Sequence, residues 1–309
     1  MRDLPFLSTI IRKTHDVFDR HHKTGVVPSK ASATASSTNT AAKSNGNVLT
    51  SAPLVDDDDS LLLSRYNLRP PVTLARQVRP DVTAHELTPD RIPSVMKMLY
   101  DSRQYSTTYR DIDFDKEEFF EIFGRKLLGA KGHLSVVLCT KDPATGQETP
   151  AFVTTVSDMR EALDGWKANR DAIESNSSPL SPSAQCVAVQ TFLEIGSRVM
   201  EQLYAKFHDV PIGKMMLVGG TAASPAVKGT NISAYGMQII LEKARRAGYV
   251  ITAGWSSHPA MIKLATAFGG VVMATIDARE VQVRDRKIYA ERGHEEIGQV
   301  FAGGIPHFE

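Results

Sequence analysis

The sequence predicts an α+β domain, a mixed sheet flanked by helices, behind an N-terminal region that forms no core. Three observations predict it. Two segments with helical apolar spacing are followed by two β-rich runs joined by turn residues. A strand, a small-residue loop and a further helix then succeed one another between Met215 and Gly248. Residues 23–60 are low-complexity, rich in Ser, Thr, Ala and Asn, and hold too little apolar surface to offset the entropy of ordering.

The chain of 309 residues is 42% hydrophobic and 23% charged, as a globular protein is, and long enough for one large domain or two small ones. A net charge of +1 argues against a protein that coats nucleic acid. Cys139 and Cys186 lie far apart, so neither a disulfide framework nor a C-x-x-C metal site is readable, and no metal ligand set is expected. Two cysteines suit a reducing compartment, and the expected location is cytoplasmic. No run approaches ~18 apolar residues, so no membrane span is expected.

Residues 1–22 include L-P-F-L-S-T-I-I-R-K-T-H-D-V-F, which reads as a helix docked on the body or as part of a targeting sequence. Asp3, Asp16 and Asp19 count against a mitochondrial presequence. His15, His21 and His22 read as solvated. Residues 23–60 are expected to be a disordered linker, with Asp56–Asp59 as a solvated charge run, and residues 61–309 a single domain. R-P-P-V-T-L-A-R-Q-V suggests an edge strand, and Val82–Leu87 alternates as a first strand. Thr88 and Pro89 mark the cap and first position of a helix whose face is Ile92, Val95, Met96 and Leu99. Lys116–Leu128 is a second helix with Phe119, Phe120, Ile122, Phe123 and Leu127 as core.

His133–Thr140 and Pro150–Ser157 read as a hairpin closed by K-D-P-A-T-G-Q-E-T. Residues 158–183 look like an insertion with a short helix and a flexible tail. Ala184–Phe207 is a long helix burying Val187, Phe192, Ile195, Val199, Leu203 and Phe207. Glu194 and Glu201 share one of its sides, suited to acid–base work or, beside Arg198, to a solvated stripe. V-V-M-A-T-I-D and K-I-Y-A-E-R-G read as closing strands, and the tail E-I-G-Q-V-F-A-G-G-I-P-H-F-E as packed coil.

The stretch from Met215 to Gly270 carries most of the functional signal. The apolar run Met215–Val218 meets Gly219-Gly220, where a strand weakens, bulges or lets something approach its backbone. A loop with Pro225 and Gly229 precedes a helix with Ile232, Tyr235, Ile239, Ile240 and Ala244 on one face. Lys243, Arg245 and Arg246 suit its C-terminal dipole, and Gly248 stops it. Bare first-turn amides and the positive end of a helix bind phosphate well, and Lys228 adds a point charge. Neither the G-K-[ST] of a P-loop nor the G-x-G-x-x-G of a Rossmann turn is present, and an ordinary strand-to-helix turn remains the alternative.

P-A-V-K-G-T-N-I-S before a helix resembles the cofactor motif of the GNAT N-acetyltransferase superfamily, roughly [QR]-x-x-G-x-[GA] after a strand. G-Y-V-I-T-A and S-S-H-P-A-M-I-K-L-A-T-A-F-G-G look like that family's next strand and its N-P-A-S-x-x-L-Y-x-x-x-G-F helix. The order helix, helix, antiparallel strands, strand–loop–helix is similar to the family's from about Val82 onward. The resemblance implies a three-layer fold and acetyl-CoA as co-substrate. Thr221, Ala222 and Ala223 would offer strand backbone to the pantetheine. Lys228, Gly229, Thr230, Asn231, Ile232 and Ser233 would cradle the pyrophosphate, and His258 and Lys263 would lie near the far arm.

The implied activity is acetyl transfer to a small amine, loosely like the arylalkylamine branch, with the backbone of Gly220–Ala223 polarising the thioester carbonyl. His258 and Glu194 are the candidate acid–base residues. Four departures bear on rate: Ala226 for Gln or Arg, Asn231 for the second Gly or Ala, Ala265 for the Tyr that protonates the leaving thiolate, and His258 for Asn. The alternatives are a non-catalytic acyl-CoA-binding or regulatory module, and an α/β protein with no nucleotide ligand. No nucleic acid or membrane partner is expected, and the oligomeric state is not readable.

Overall fold

The computed structural model describes residues 57–103, 116–174, 187–291 and 297–309. The expectations for residues 1–22 and for the linker up to residue 56 lie outside these. In chain order the elements are α1 (Asp57–Arg65), β1 (Thr73–Leu74), β2 (Val82–Glu86), α2 (Ile92–Ser102), α3 (Lys116–Leu128), β3 (Val136–Lys141) and β4 (Glu148–Asp158). They continue with α4 (Met159–Glu174), α5 (Val187–Phe207), β5 (Met215–Ala223), α6 (Ile232–Arg246), β6 (Ile251–Ser256) and α7 (Pro259–Ala267). The last are β7 (Val271–Asp277), α8 (Ile288–Glu291), β8 (Ile297–Gly304) and β9 (His307–Phe308).

Seven strands form one sheet in the order β2-β3-β4-β5-β6-β8-β7. Every neighbouring pair is antiparallel except β5 and β6, which are parallel and joined by the α6 crossover. The expected mixed sheet with helices on both faces is therefore the fold. Strand alternation sorts the side chains. Val136, Leu138, Phe152, Val156 and Met216 face α6, with Met261 and Leu264 of α7 against the same cluster. Val137, Cys139 and Val153 face the other way, toward Val95 and Met96 of α2, Phe119 and Phe123 of α3 and Ile195 of α5. Phe119 and Phe123 stack at 4.3 Å, as core aromatics. Met159 and Leu163 of α4 and Val199, Leu203 and Phe207 of α5 complete that face below β5, β6 and β8.

The β3–β4 turn takes its shape from Asp142, whose Oδ1 accepts from the amides of Ala144 (2.7 Å) and Thr145 (3.1 Å). Buried Asp158 caps α4: its Oδ1 accepts from Arg160 N at 2.9 Å, and its Oδ2 from Gly213 N at 2.7 Å, tying α4 to the entry of β5. On the crossover, Gly236 is required by contact. A Cβ there would lie 2.1 Å from Phe152 Cε1, so α6 rests directly on β4.

Five expectations need correction. Residues 57–60, assigned to the linker, begin α1, where acidic residues suit the helix N-terminus; Asp59 pairs with Lys214 at 3.2 Å. The R-P-P-V-T-L-A-R-Q-V strand is only β1, which pairs in parallel with β9 outside the main sheet. The insertion holds a full helix of 16 residues, not a short one, because Met159 and Leu163 are wholly buried against α5. K-I-Y-A-E-R-G is not a strand: Ile288–Glu291 forms one helical turn with Ile288 and Tyr289 buried, and among the described residues no strand pairs with it. The tail is not coil. Ile297–Gly304 is β8, paired on both sides, by β6 and β7.

Gly236→Ala should destabilise the domain by ~1–3 kcal/mol through overpacking, lowering the urea midpoint at unchanged m. A second expectation concerns His307, which is buried beside Arg245 (Nε2 to Nη2, 2.6 Å), with the Glu309 carboxylate also acting on it. Burial first, then the Arg245 charge, hold its pKa below 6.5, and Glu309 opposes them. The unfolded chain therefore binds the extra proton, and stability should fall as pH drops from 6.5 toward the folded pKa. Replacing His307 by Gln should flatten that part of a melting-temperature profile.

Candidate active site

Parallel pairing of β5 with β6 covers only Met215↔Ile251, Met216↔Thr252 and Leu217↔Ala253. Beyond Leu217, β5 stays with β4 through Ala223, while β6 stays with β8 through Ser256. The two strands thus part at the centre of the sheet. Just past that point Thr154 pairs with Thr221 and Val156 with Val218, so Thr155 alone faces Gly219 and Gly220. This is the bulge that the two glycines suggest. Trp255 of β6 packs where the two clusters of the α2, α3 and α5 face meet.

The strand runs into a 3₁₀ turn, Pro225–Val227, capped by the Ser224 hydroxyl, which accepts from Ala226 N. Gly229 (φ 80°) and Asn231 (φ 56°) then adopt the left-handed region. Asn is one of the few non-glycine residues at ease there, so its presence at the motif's second glycine position keeps the turn. Among the described residues the amides of Gly229, Asn231, Ile232, Ser233 and Ala234 have no protein acceptor; the first bond of α6 is Tyr235 N to Asn231 O at 3.2 Å. Those of Lys228 and Thr230 turn inward, to Pro225 O and Val227 O. A Cβ on Gly229 would meet nothing within 4 Å, so the space over the turn is open.

Sequence reasoning missed the brace of this loop. Arg79, in the segment before β2, donates from Nη1 to Thr230 O. Its Nε and Nη2 hold Asp81 at 2.9 and 2.6 Å. The hydrogen bond from Arg79 pulls the Asp81 carboxyl down to about 2. Gln238 of α6 grips the same segment, accepting from Gln77 N at 2.8 Å. No pattern in the sequence joins residues 151 positions apart.

The other proposed residues separate. Thr221, Ala222 and Ala223 line the free end of β5, with Ala222 toward α2, α3 and α5 and Ala223 toward α6. His258 is the exposed N-cap of α7, its Nδ1 accepting from Ala260 N at 3.2 Å, and Lys263 is exposed on the same helix. Glu194 is on α5, paired with Arg198 at 3.3 Å. The helices carrying His258 and Glu194 pack on opposite faces of the sheet.

A separate group, His85, Cys139 and Glu148, brings three ligand-type atoms within 4.8 Å of one another. They engage each other instead: His85 Nε2 meets Glu148 Oε2 at 2.7 Å, and the Arg91 guanidinium lies 3.1 Å from the other ring nitrogen. A metal-bound imidazole needs an acceptor at that second nitrogen, and a guanidinium is not one.

No family model and no curated protein matches this sequence. In structure the chain is similar to Drosophila melanogaster polyamine N-acetyltransferase, an enzyme that catalyses the formation of N-acetylagmatine. The TM-score is 0.54 at 13% identity over 72% of this chain and 100% of that one. It is also similar to arylalkylamine N-acetyltransferase 7 of the yellow fever mosquito (TM-score 0.55, 13% identity, 72% and 87% covered). A third is the C-terminal condensation domain of Ebony, in complex with β-alanyl-dopamine (0.53, 12%, 72% and 99%). At such identities the likeness is one of fold, and the chain has the fold of the GNAT N-acetyltransferases.

Gly229→Glu places a carboxylate over the bare amides and should abolish binding of CoA in calorimetry. Gly229→Ala, which carries only the ~1–2 kcal/mol left-handed penalty, should still bind.

Proposed function

We propose that this chain binds an acyl-CoA in the opening between β5 and β6 and transfers its acetyl group to a small amine. One observation carries the reading: the sheet opens at its single parallel pair, and β5 leads from that opening into a helix whose first amides have no partner among the described residues. An anion with several oxygens satisfies such a turn. Gly229, Asn231, Ile232 and Ser233 would hold the diphosphate by main chain, with Lys228 adding charge; Lys228 and Thr230 contribute no amide, since theirs are engaged. The departure at Ala226 matters little to a cradle made of backbone. Thr221–Ala223 would line the acyl arm, and His258 and Lys263 its far side.

The bound group supplies a thioester with an electrophilic acyl carbon. The chain's part is to hold that carbon at the bulge, where backbone polarises the carbonyl. His258 and Glu194 stay the candidate acid–base residues, the one accepting from Ala260 N through Nδ1 and the other paired with Arg198. The neighbours named for agmatine, polyamines and arylalkylamines favour an amine acceptor without choosing among them. A cytoplasmic protein acting on small molecules, without nucleic acid, fits the near-neutral charge. Among the described residues no helix is long and apolar enough to cross a membrane.

Ala265, where the resembled family has its acid Tyr, favours a second reading, a module that binds acyl-CoA without turning it over. Purified full-length chain should bind CoA in calorimetry and release free thiol from acetyl-CoA with agmatine, spermidine or tryptamine. Binding without thiol release from any of them would select the second reading. Absence of binding would reject both.

A further inference from the structure

Eight polar or charged side chains are buried in the described structure, and seven are engaged. Ser102 bonds Met98 O, Ser135 accepts from Val156 N, Thr154 meets Thr221, Thr191 has a partner, and Asp158, Gln238 and His307 are held as described above. Thr155 is the eighth. It is 2% exposed, and among the described residues its Oγ1 has no hydrogen-bond partner. A buried hydroxyl left unpaired costs about 1–3 kcal/mol, so a methyl group would serve the fold better at this position.

Its place explains what the fold does not. Phe152 and Val156 face α6 and Val153 faces α2, α3 and α5, so alternation sends Thr155 to the latter side, as it does Ala222 of β5. There it lies over the bulge: a Cβ on Gly219 would be 2.4 Å from Thr155 Oγ1, and one on Gly220 3.9 Å away. Gly219 is therefore glycine because the hydroxyl occupies the space of its side chain. The bulge leaves an extra backbone residue out of the ladder, two positions past the last β5–β6 pair. A hydroxyl and a bulged backbone thus meet on β5, the strand that borders the opening.

We propose that Thr155 is a catalytic residue: its Oγ1–H and the bulge backbone at Gly219-Gly220 form a two-donor site for the acyl carbonyl oxygen. The inference rests on the acyl-transfer reading. As the amine lone pair forms the C–N bond, the carbonyl π pair moves onto oxygen, where both donors meet it. The pair returns as the C–S bond breaks; the thiolate leaves with its electrons, and the proton from nitrogen passes to water. Thr155 keeps its own proton throughout.

The test compares Thr155→Val and Thr155→Ser in the full-length chain. The Val variant should melt at or above the parent temperature and bind CoA equally well. Its kcat with acetyl-CoA and agmatine, spermidine or tryptamine should fall roughly 100- to 1,000-fold at similar KM, with Ser restoring most of it. The infrared carbonyl band of bound [1-¹³C]acetyl-CoA should sit lower in the parent than in the Val variant, whether or not turnover occurs. Unchanged kcat, an identical carbonyl band, or a large loss of melting temperature in the Val variant would each overturn the proposal. A parent that binds acetyl-CoA with a shifted band but acetylates no amine would defeat the transfer reading while leaving the donor site standing. A parent that binds no CoA defeats both.

Discussion

The rest of the structure depends on one limit: β5 and β6 pair over three residues and no further. A parallel pair needs a crossover, and α6 supplies it, lying close against β4 because Gly236 has no side chain to hold it off. Past Leu217 each strand follows its antiparallel partner, and sheet twist carries the two apart. Backbone polar groups left without a ladder are sustained only where solvent or another polar group meets them, so the parting of β5 and β6 opens the sheet at its centre.

The loop that leaves β5 adds the second requirement. Its left-handed residues, Gly229 and Asn231, turn the chain so that α6 begins with unclaimed amides beside the opening. Arg79 braces the turn from outside, anchored by Asp81. A turn made of main chain keeps its shape through substitutions that hold the backbone angles, and Asn231 keeps the left-handed one at its position.

Where one face of an element was buried and the other wet, periodicity was a sufficient guide. Lys116–Leu128 is a helix with the expected bounds, and Phe119, Phe123 and Leu127 are core. The hairpin was legible because Asp142 and Gly146 carry turn chemistry. Ile297–Gly304 was not legible, because β8 is flanked by strands on both sides and apolar on both faces, with Val300, Phe301 and Ala302 all buried. Its glycines, which read as coil, answer to close approach: a Cβ on Gly298 would lie 2.9 Å from the Trp255 ring, and one on Gly303 2.9 Å from Gly269 O. The bare helix start at Ile232 was readable in the same local way. Thr155 was not, since only strand register shows that its hydroxyl lies on Gly219.

By itself the sequence determined the classes of local structure and one short stretch of chemistry, because apolar period, turn residues and caps act within a few residues of one another. The tertiary structure alone decided which strands part, where the bulge lies against Thr155, and that the helices bearing His258 and Glu194 pack on opposite faces of the sheet. Those follow from register and layer packing, which depend on residues far apart in the chain and leave no mark in the local order of side chains.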